Sequence, residues 1–145
     1  MISTPFKKSF KSCKSELSKL RSFVREALDT YGMKKSLIDG FVISIDEACS
    51  NIILHGYQDC RDYSFSISLE IADSEIIATI EDDGKPFDPN SSKQDPPLTK
   101  LSKYEKGGLG IHIMNKYIDR IEYSIGDGVQ PNKLFLFKNL YKDSI

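Results

Sequence analysis

Little in this chain is present in excess. The formal net charge is −1, so there is no bulk attraction for nucleic acid or for an anionic membrane. Only three cysteines occur, Cys13, Cys49 and Cys60. They form no metal-ligand spacing, and their odd number argues against a disulfide framework. No apolar run approaches the length needed to cross a bilayer. The opening MISTPFKKSFKSCK lacks an apolar core of signal-peptide length. There is no internal repeat and no interdomain linker. The expectation is a cytoplasmic, soluble protein made of a single domain, residues 1–145, a length that carries one proper core rather than two.

What is present is periodic. Residues 4–11, with Phe6 and Phe10 among lysines and serines, suit an edge strand. From about Lys14, Leu17, Leu20, Val24, Ala27, Leu28 and Tyr31 keep the 3.6-residue period of a helix, with Gly32 as its stop. A second helix is expected from about Lys35 to His55, with Phe41, Ile45, Ala48 and Ile52 as its apolar stripe. Gly40 sits inside it, either to permit a close packing contact or to mark a bend, and the sequence does not choose. Phe65, Ile67, Leu69 and Ile71 alternate with Ser64, Ser66, Ser68 and Glu70, the two-residue period of a strand with one wet face. Asp73-Ser74 signals a turn into a strand from Ile76 to Asp82. After a polar stretch, a short helix follows Gly110, then a final hairpin over 120–126 and 133–140. Partly segregated helices and antiparallel strands imply an α+β two-layer sandwich, a mixed but mostly antiparallel sheet with about three helices on one face.

Three stretches carry polar residues with chemical uses. On the second helix, Glu47 and Asn51 are one turn apart on a common face. A carboxylate can remove a proton and an amide oxygen can ligate a hard cation; the plain alternative is two solvated polar residues. Glu81-Asp82-Asp83-Gly84-Lys85-Pro86-Phe87-Asp88-Pro89 comes directly off a strand. A carboxylate there can accept a hydrogen bond from an exocyclic amine, and Gly84 lets a flat ring approach the backbone; the same residues also suit an ordinary turn. Lys106-Gly107-Gly108-Leu109-Gly110 precedes a helix, whose N-terminal N–H groups bind phosphate readily. A flexible hinge is the alternative. It is neither a P-loop nor a dinucleotide fingerprint. Residues 88–106, rich in Pro, Ser and Lys, read equally as a binding lid or as a surface loop.

In order and spacing, these stretches resemble the N, G1 and G2 boxes of the GHKL ATP-binding superfamily, with its histidine-kinase-like (Bergerat) ATPase fold. The similarity is to its bacterial anti-sigma factor and serine-protein kinase branch. The matching residues are Glu-Ala-x-x-Asn through His-Gly-Tyr (Glu47 to Tyr57), Asp-x-Gly-x-Pro-Phe-Asp-Pro (Asp82 to Pro89) and Gly-Gly-Leu-Gly-Ile (Gly107 to Ile111). The resemblance implies roles. Asn51 would hold Mg²⁺ against the ATP phosphates, and Asp82 would bind the adenine amine above Gly84. Gly108, Gly110 and Lys106 would meet the phosphates, residues 88–106 would form the ATP lid, and Glu47 would be the general base. Lys85-Pro86 replaces the superfamily's second G1 glycine, as is typical of this branch. The implied function is an ATP-dependent serine/threonine kinase that acts as an anti-sigma regulatory factor. It would phosphorylate a STAS-domain anti-sigma-factor antagonist, be homodimeric, and possess a sigma factor as a further partner. The alternatives are an ATP-switched binding module without phosphotransfer, or a detached histidine-kinase catalytic domain. The last is disfavoured by Glu47 and by the lack of a helical segment carrying a phosphoacceptor histidine.

Overall fold

A computed structural model describes residues 5–53, 63–84, 114–127 and 129–140. The expected lid, Lys106, Gly108, Gly110 and His55, the expected end of the second helix, lie outside the described residues.

The alternating segments form one five-stranded sheet. Its strands are β1 (Phe6–Lys11), β2 (Ser64–Ala72), β3 (Glu75–Asp82), β4 (Arg120–Ser124) and β5 (Asn132–Asn139). They lie side by side in the order β1-β2-β3-β5-β4. All four pairings are antiparallel, so the parallel component allowed for by a mixed sheet is not found among the described residues. The β2–β3 connection is the two-residue turn Asp73-Ser74, with φ of 50° and 74°. Those left-handed angles match the twist of the flanking strands, and a short polar side chain such as Asp tolerates them.

Two α-helices cover the sheet, α1 (Leu17–Thr30) and α2 (Lys35–Asn51). A 3₁₀ turn, Lys14–Glu16, leads into α1. Gly32 stops α1 as its sequence position foretold. Its φ of +74° lets Gly32 N–H donate to the Asp29 carbonyl (2.9 Å) and Met33 N–H to the Leu28 carbonyl (3.3 Å). Those two bonds satisfy carbonyls that the helix end would otherwise leave open. Arg21 pairs with Asp46 (2.9 Å) and Arg25 with Asp39 (2.7 Å), joining α1 to α2 at the surface. Such exposed pairs fix orientation more than they stabilise.

The core lies between the layers. Leu20, Val24 and Leu28 of α1, Phe41 and Ile45 of α2, and Ile67, Leu69, Ala78, Ile80 and Leu136 of the sheet belong to one buried cluster. Burying aliphatic side chains of this size contributes about 1.5–3 kcal/mol each. Met114 and Ile118 join the cluster, so the short helical segment 114–117 is anchored to the core at Met114 and just beyond its end. Among the cysteines, Cys49 is a free, buried thiol. Cys13 is disulfide-bonded, so the odd count does not exclude a pair; its partner lies outside the described residues.

Candidate functional site

The register of β3 against β5 creates the first part of the site. Ile80 faces Leu134 across the ladder, and the next inward-facing pair is Asp82 and Asn132. The apolar row thus ends in two polar residues, 6% and 4% exposed. A buried carboxylate needs hydrogen bonds to remain tolerable, and it has them. Gly84 N–H donates to Asp82 Oδ1 (2.9 Å), and Asn132 Nδ2 donates to the same oxygen (3.2 Å). The amide's other proton goes to the Gly84 carbonyl (2.9 Å), and its Oδ1 accepts Gly126 N–H (2.8 Å). Asn132 therefore ties together the end of β3, the turn after it and the β4–β5 connection.

Burial raises the Asp82 carboxyl above the ordinary aspartate range, and Asp83 adds to this, while the hydrogen bonds from Asn132 and Gly84 act in the opposite direction. Both described bonds fall on Oδ1.

The second part lies on α2. Asn51 is 2% exposed, and neither Oδ1 nor Nδ2 has a hydrogen-bond partner among the described residues. The solvated-polar alternative is thereby excluded for Asn51. An unpaired buried amide costs about 1–3 kcal/mol, and native structures rarely carry one without a reason. Glu47, one turn earlier, is half-buried. Cys49 links the two parts: its thiol is pushed well up by burial, and further by the carboxylates of Asp46 and Asp82. The Asp82 carboxylate is therefore felt on α2 two residues from Asn51.

Glu47 and Asn51 lie on α2, Asp82 ends β3 and Gly84 follows it, while Lys106, Gly108 and Gly110 lie outside the described residues. Asn132 escaped the sequence reading, which started the last strand at residue 133. The available signal was a polar residue in phase with the inward-facing Leu134 and Leu136. A groove lined by Arg25, Glu26, Asp29, Met33, Lys35 and Ile38 lies at the opposite end of α2 and contains none of the site residues. No group of three or more His, Cys, Asp or Glu side chains able to hold a metal occurs among the described residues. No helix among them is long and apolar enough to cross a membrane.

Comparison with known proteins gives this geometry a context. The chain is 32% identical over 96 residues to an anti-sigma F factor of Clostridium botulinum, covering 63% of this chain and 67% of that protein. It is 26% identical over 96 residues to the serine-protein kinase RsbW of Bacillus subtilis, covering 63% and 60%. Among solved structures, the RsbU and RsbW domains of a Mycobacterium tuberculosis protein share the fold at a TM-score of 0.63 and 17% identity, over 95% of this chain and 32% of that one. The SiaB–SiaC complex of Pseudomonas aeruginosa contains it too, at a TM-score of 0.59 and 13% identity, over 94% and 88%. Residues 10–134 match the histidine kinase-like ATPase domain. That span runs from β1 to β5 and encloses both the Asp82–Asn132 cluster and the Asn51 amide; this chain belongs to the histidine kinase-like ATPase domain family.

Proposed function

We propose that this protein is an ATP-dependent serine/threonine kinase and anti-sigma regulatory factor that phosphorylates a STAS-domain anti-sigma-factor antagonist. The observation that carries the reading is the buried Asn51 amide, without a hydrogen-bond partner among the described residues, one turn after Glu47. It supports a site built to receive a ligand on this face of α2. Family membership makes that ligand ATP, and the relatives' names, anti-sigma F factor and serine-protein kinase, support the partner class. A cytoplasmic homodimer that also binds a sigma factor belongs to the same reading.

Each residue then has a task. Asp82 reads the base: with Oδ1 occupied by Gly84 and Asn132, Oδ2 is the acceptor for the adenine amine. Gly84 leaves room for the ring. The Asn51 Oδ1 atom suits Mg²⁺, which takes oxygen ligands and keeps several waters. When bound, the ion would offset charge on the phosphates. Lys106 and the N–H groups of Gly108 and Gly110 would hold those phosphates, with residues 88–106 closing as the lid. Glu47 would take the proton from the attacking serine or threonine hydroxyl. Positioning and electrostatics supply most of the catalysis in phosphoryl transfer, and a positioned base typically adds 10²–10⁴-fold.

The test is Glu47→Gln, which keeps shape and removes basicity. Single-turnover transfer to a STAS partner should fall by roughly a hundredfold or more, with ATP affinity near normal. A variant that binds ATP and transfers phosphate at the parent rate would exclude Glu47 as the base.

A further inference from the structure

The buried Asn132 amide is held from both sides. Its nitrogen donates to Asp82 Oδ1 (3.2 Å) and to the Gly84 carbonyl (2.9 Å). Its oxygen accepts Gly126 N–H (2.8 Å). Turning an amide end for end exchanges its donor and acceptor sides. Here only one orientation works. The turned amide would set its oxygen against the Asp82 carboxylate and the Gly84 carbonyl, acceptor against acceptor. It would also set its NH₂ group against Gly126 N–H, donor against donor. The β4–β5 connection keeps that N–H in place. A Cβ on Gly126 would collide with the Gln130 carbonyl oxygen. It would also stand 2.9 Å from the Pro131 carbonyl carbon and 3.0 Å from the Asn132 nitrogen. These neighbours are all backbone, so no side chain can swing aside, and glycine alone fits. Asp127 Oδ1 accepts Val129 N–H (2.9 Å) and Gln130 N–H (2.7 Å), which folds the connection back toward Gly126. Pro131 fixes the backbone φ immediately before Asn132.

We propose that the β4–β5 connection determines base specificity, with Gly126 and Asn132 as its positioning residues. Gly126 orients the Asn132 amide. The amide then occupies Asp82 Oδ1 and leaves Oδ2 to accept the exocyclic amine of adenine. It also fixes the Gly84 carbonyl, and with it the backbone that the ring approaches. This rests on the ATP reading above and on the part that Asp82 plays in it. Gly126 and Asn132 act through Asp82 and Gly84 and need no contact of their own with the nucleotide.

The discriminating measurement compares ATP with purine riboside triphosphate, which lacks only the 6-amino group. The ratio of the two affinities isolates the amine contact, because phosphate contacts and the folded fraction cancel. The parent protein should prefer ATP by about tenfold or more, the scale of one hydrogen bond to a charged group. Asn132→Asp keeps the size and the acceptor for Gly126 N–H but, ionised, has no proton to donate. Its preference should drop to about twofold or less. Gly126→Ala should reduce the preference about fivefold, through displacement of the amide. Asp127→Ala alters an exposed side chain, where folding is not at risk, and should reduce it about twofold. Calorimetry with Mg²⁺ reads the affinities, and circular dichroism establishes folding. An unchanged ratio in folded Asn132→Asp or Gly126→Ala overturns the proposal. That includes an equal loss of both affinities, the mark of a merely structural role. If neither of these folds, Asp127→Ala decides by the same criterion. Parent protein that binds the two ligands equally would overturn this proposal and the Asp82 assignment while leaving ATP binding intact. Parent protein that binds neither would overturn the ATP reading as well.

Discussion

Two buried amides twist apart in their circumstances. Asn132 uses both protons and its oxygen, on Asp82, Gly84 and Gly126. Asn51 uses none among the described residues. Both side chains are nearly inaccessible, at 4% and 2%, so exposure does not distinguish them. The saturated amide is part of the scaffold: it holds a carboxylate in one orientation before any ligand arrives. The one without a described partner lowers the stability of the unliganded fold, a loss that the ligand proposed above would offset. A polar group is thus assigned to framework or to function by its partners rather than by its burial.

The largest expected effect tests the open amide. Asn51→Ala should lower ATP–Mg²⁺ affinity by roughly a hundredfold, the upper end of what even supporting groups of a metal site cost. Calorimetry checks this, and unchanged affinity would remove Asn51 from the site.

Next come the opposite signs of two matched leucine replacements. Asn132→Leu leaves the Gly84 carbonyl, Gly126 N–H and the Asp82 carboxylate short of partners, and should cost about 2–3 kcal/mol of stability. Asn51→Leu removes an amide with no described partner and should raise the stability of unliganded protein by about 1 kcal/mol. Urea titrations without nucleotide measure both; two losses of similar size would erase the distinction drawn above.

The smallest effect concerns pH. The folded-state value of Asp82 is raised, chiefly by burial, so protons favour the folded form at this residue. Its contribution is fully present below the ordinary aspartate value of about 3.9 and is lost as pH rises through the higher folded value. Asp82→Asn lacks this titration. Without nucleotide, it should be the more stable protein at pH 7, with the gap closing below about pH 4, while its preference for ATP over GTP shrinks. A gap independent of pH would mean that the carboxylate's burial does not govern its cost.

Much of this was readable from local pattern. The alternation over residues 64–71 dictated β2 and its inward face, and Gly32 after a periodic helix indicated the stop of α1. The three boxes pointed to Glu47, Asn51, Asp82 and Gly84 because their spacing in sequence is itself the signal. Asn132 was not legible: its partner Asp82 is fifty residues away in the chain, and only the register of β5 on β3 brings them together. The same holds for Gly40, whose reason for being glycine sits on Tyr117 in a distant segment. Local periodicity encodes which face is buried; it does not encode what waits there.

The β3–β5 pairing also bears on when activity can begin. β5, which orients the Asp82 carboxylate through Asn132, is synthesised after β1, both α-helices, β2 and β3. Domains fold as synthesis proceeds, from the N-terminal side, so a nascent chain can carry Asp82 long before Asn132 emerges to aim it. If Asp82 reads adenine as proposed, that selection is deferred until β5 docks. On the same proposal, a ribosome-bound or truncated product without β5 would fail to choose ATP over other nucleotides.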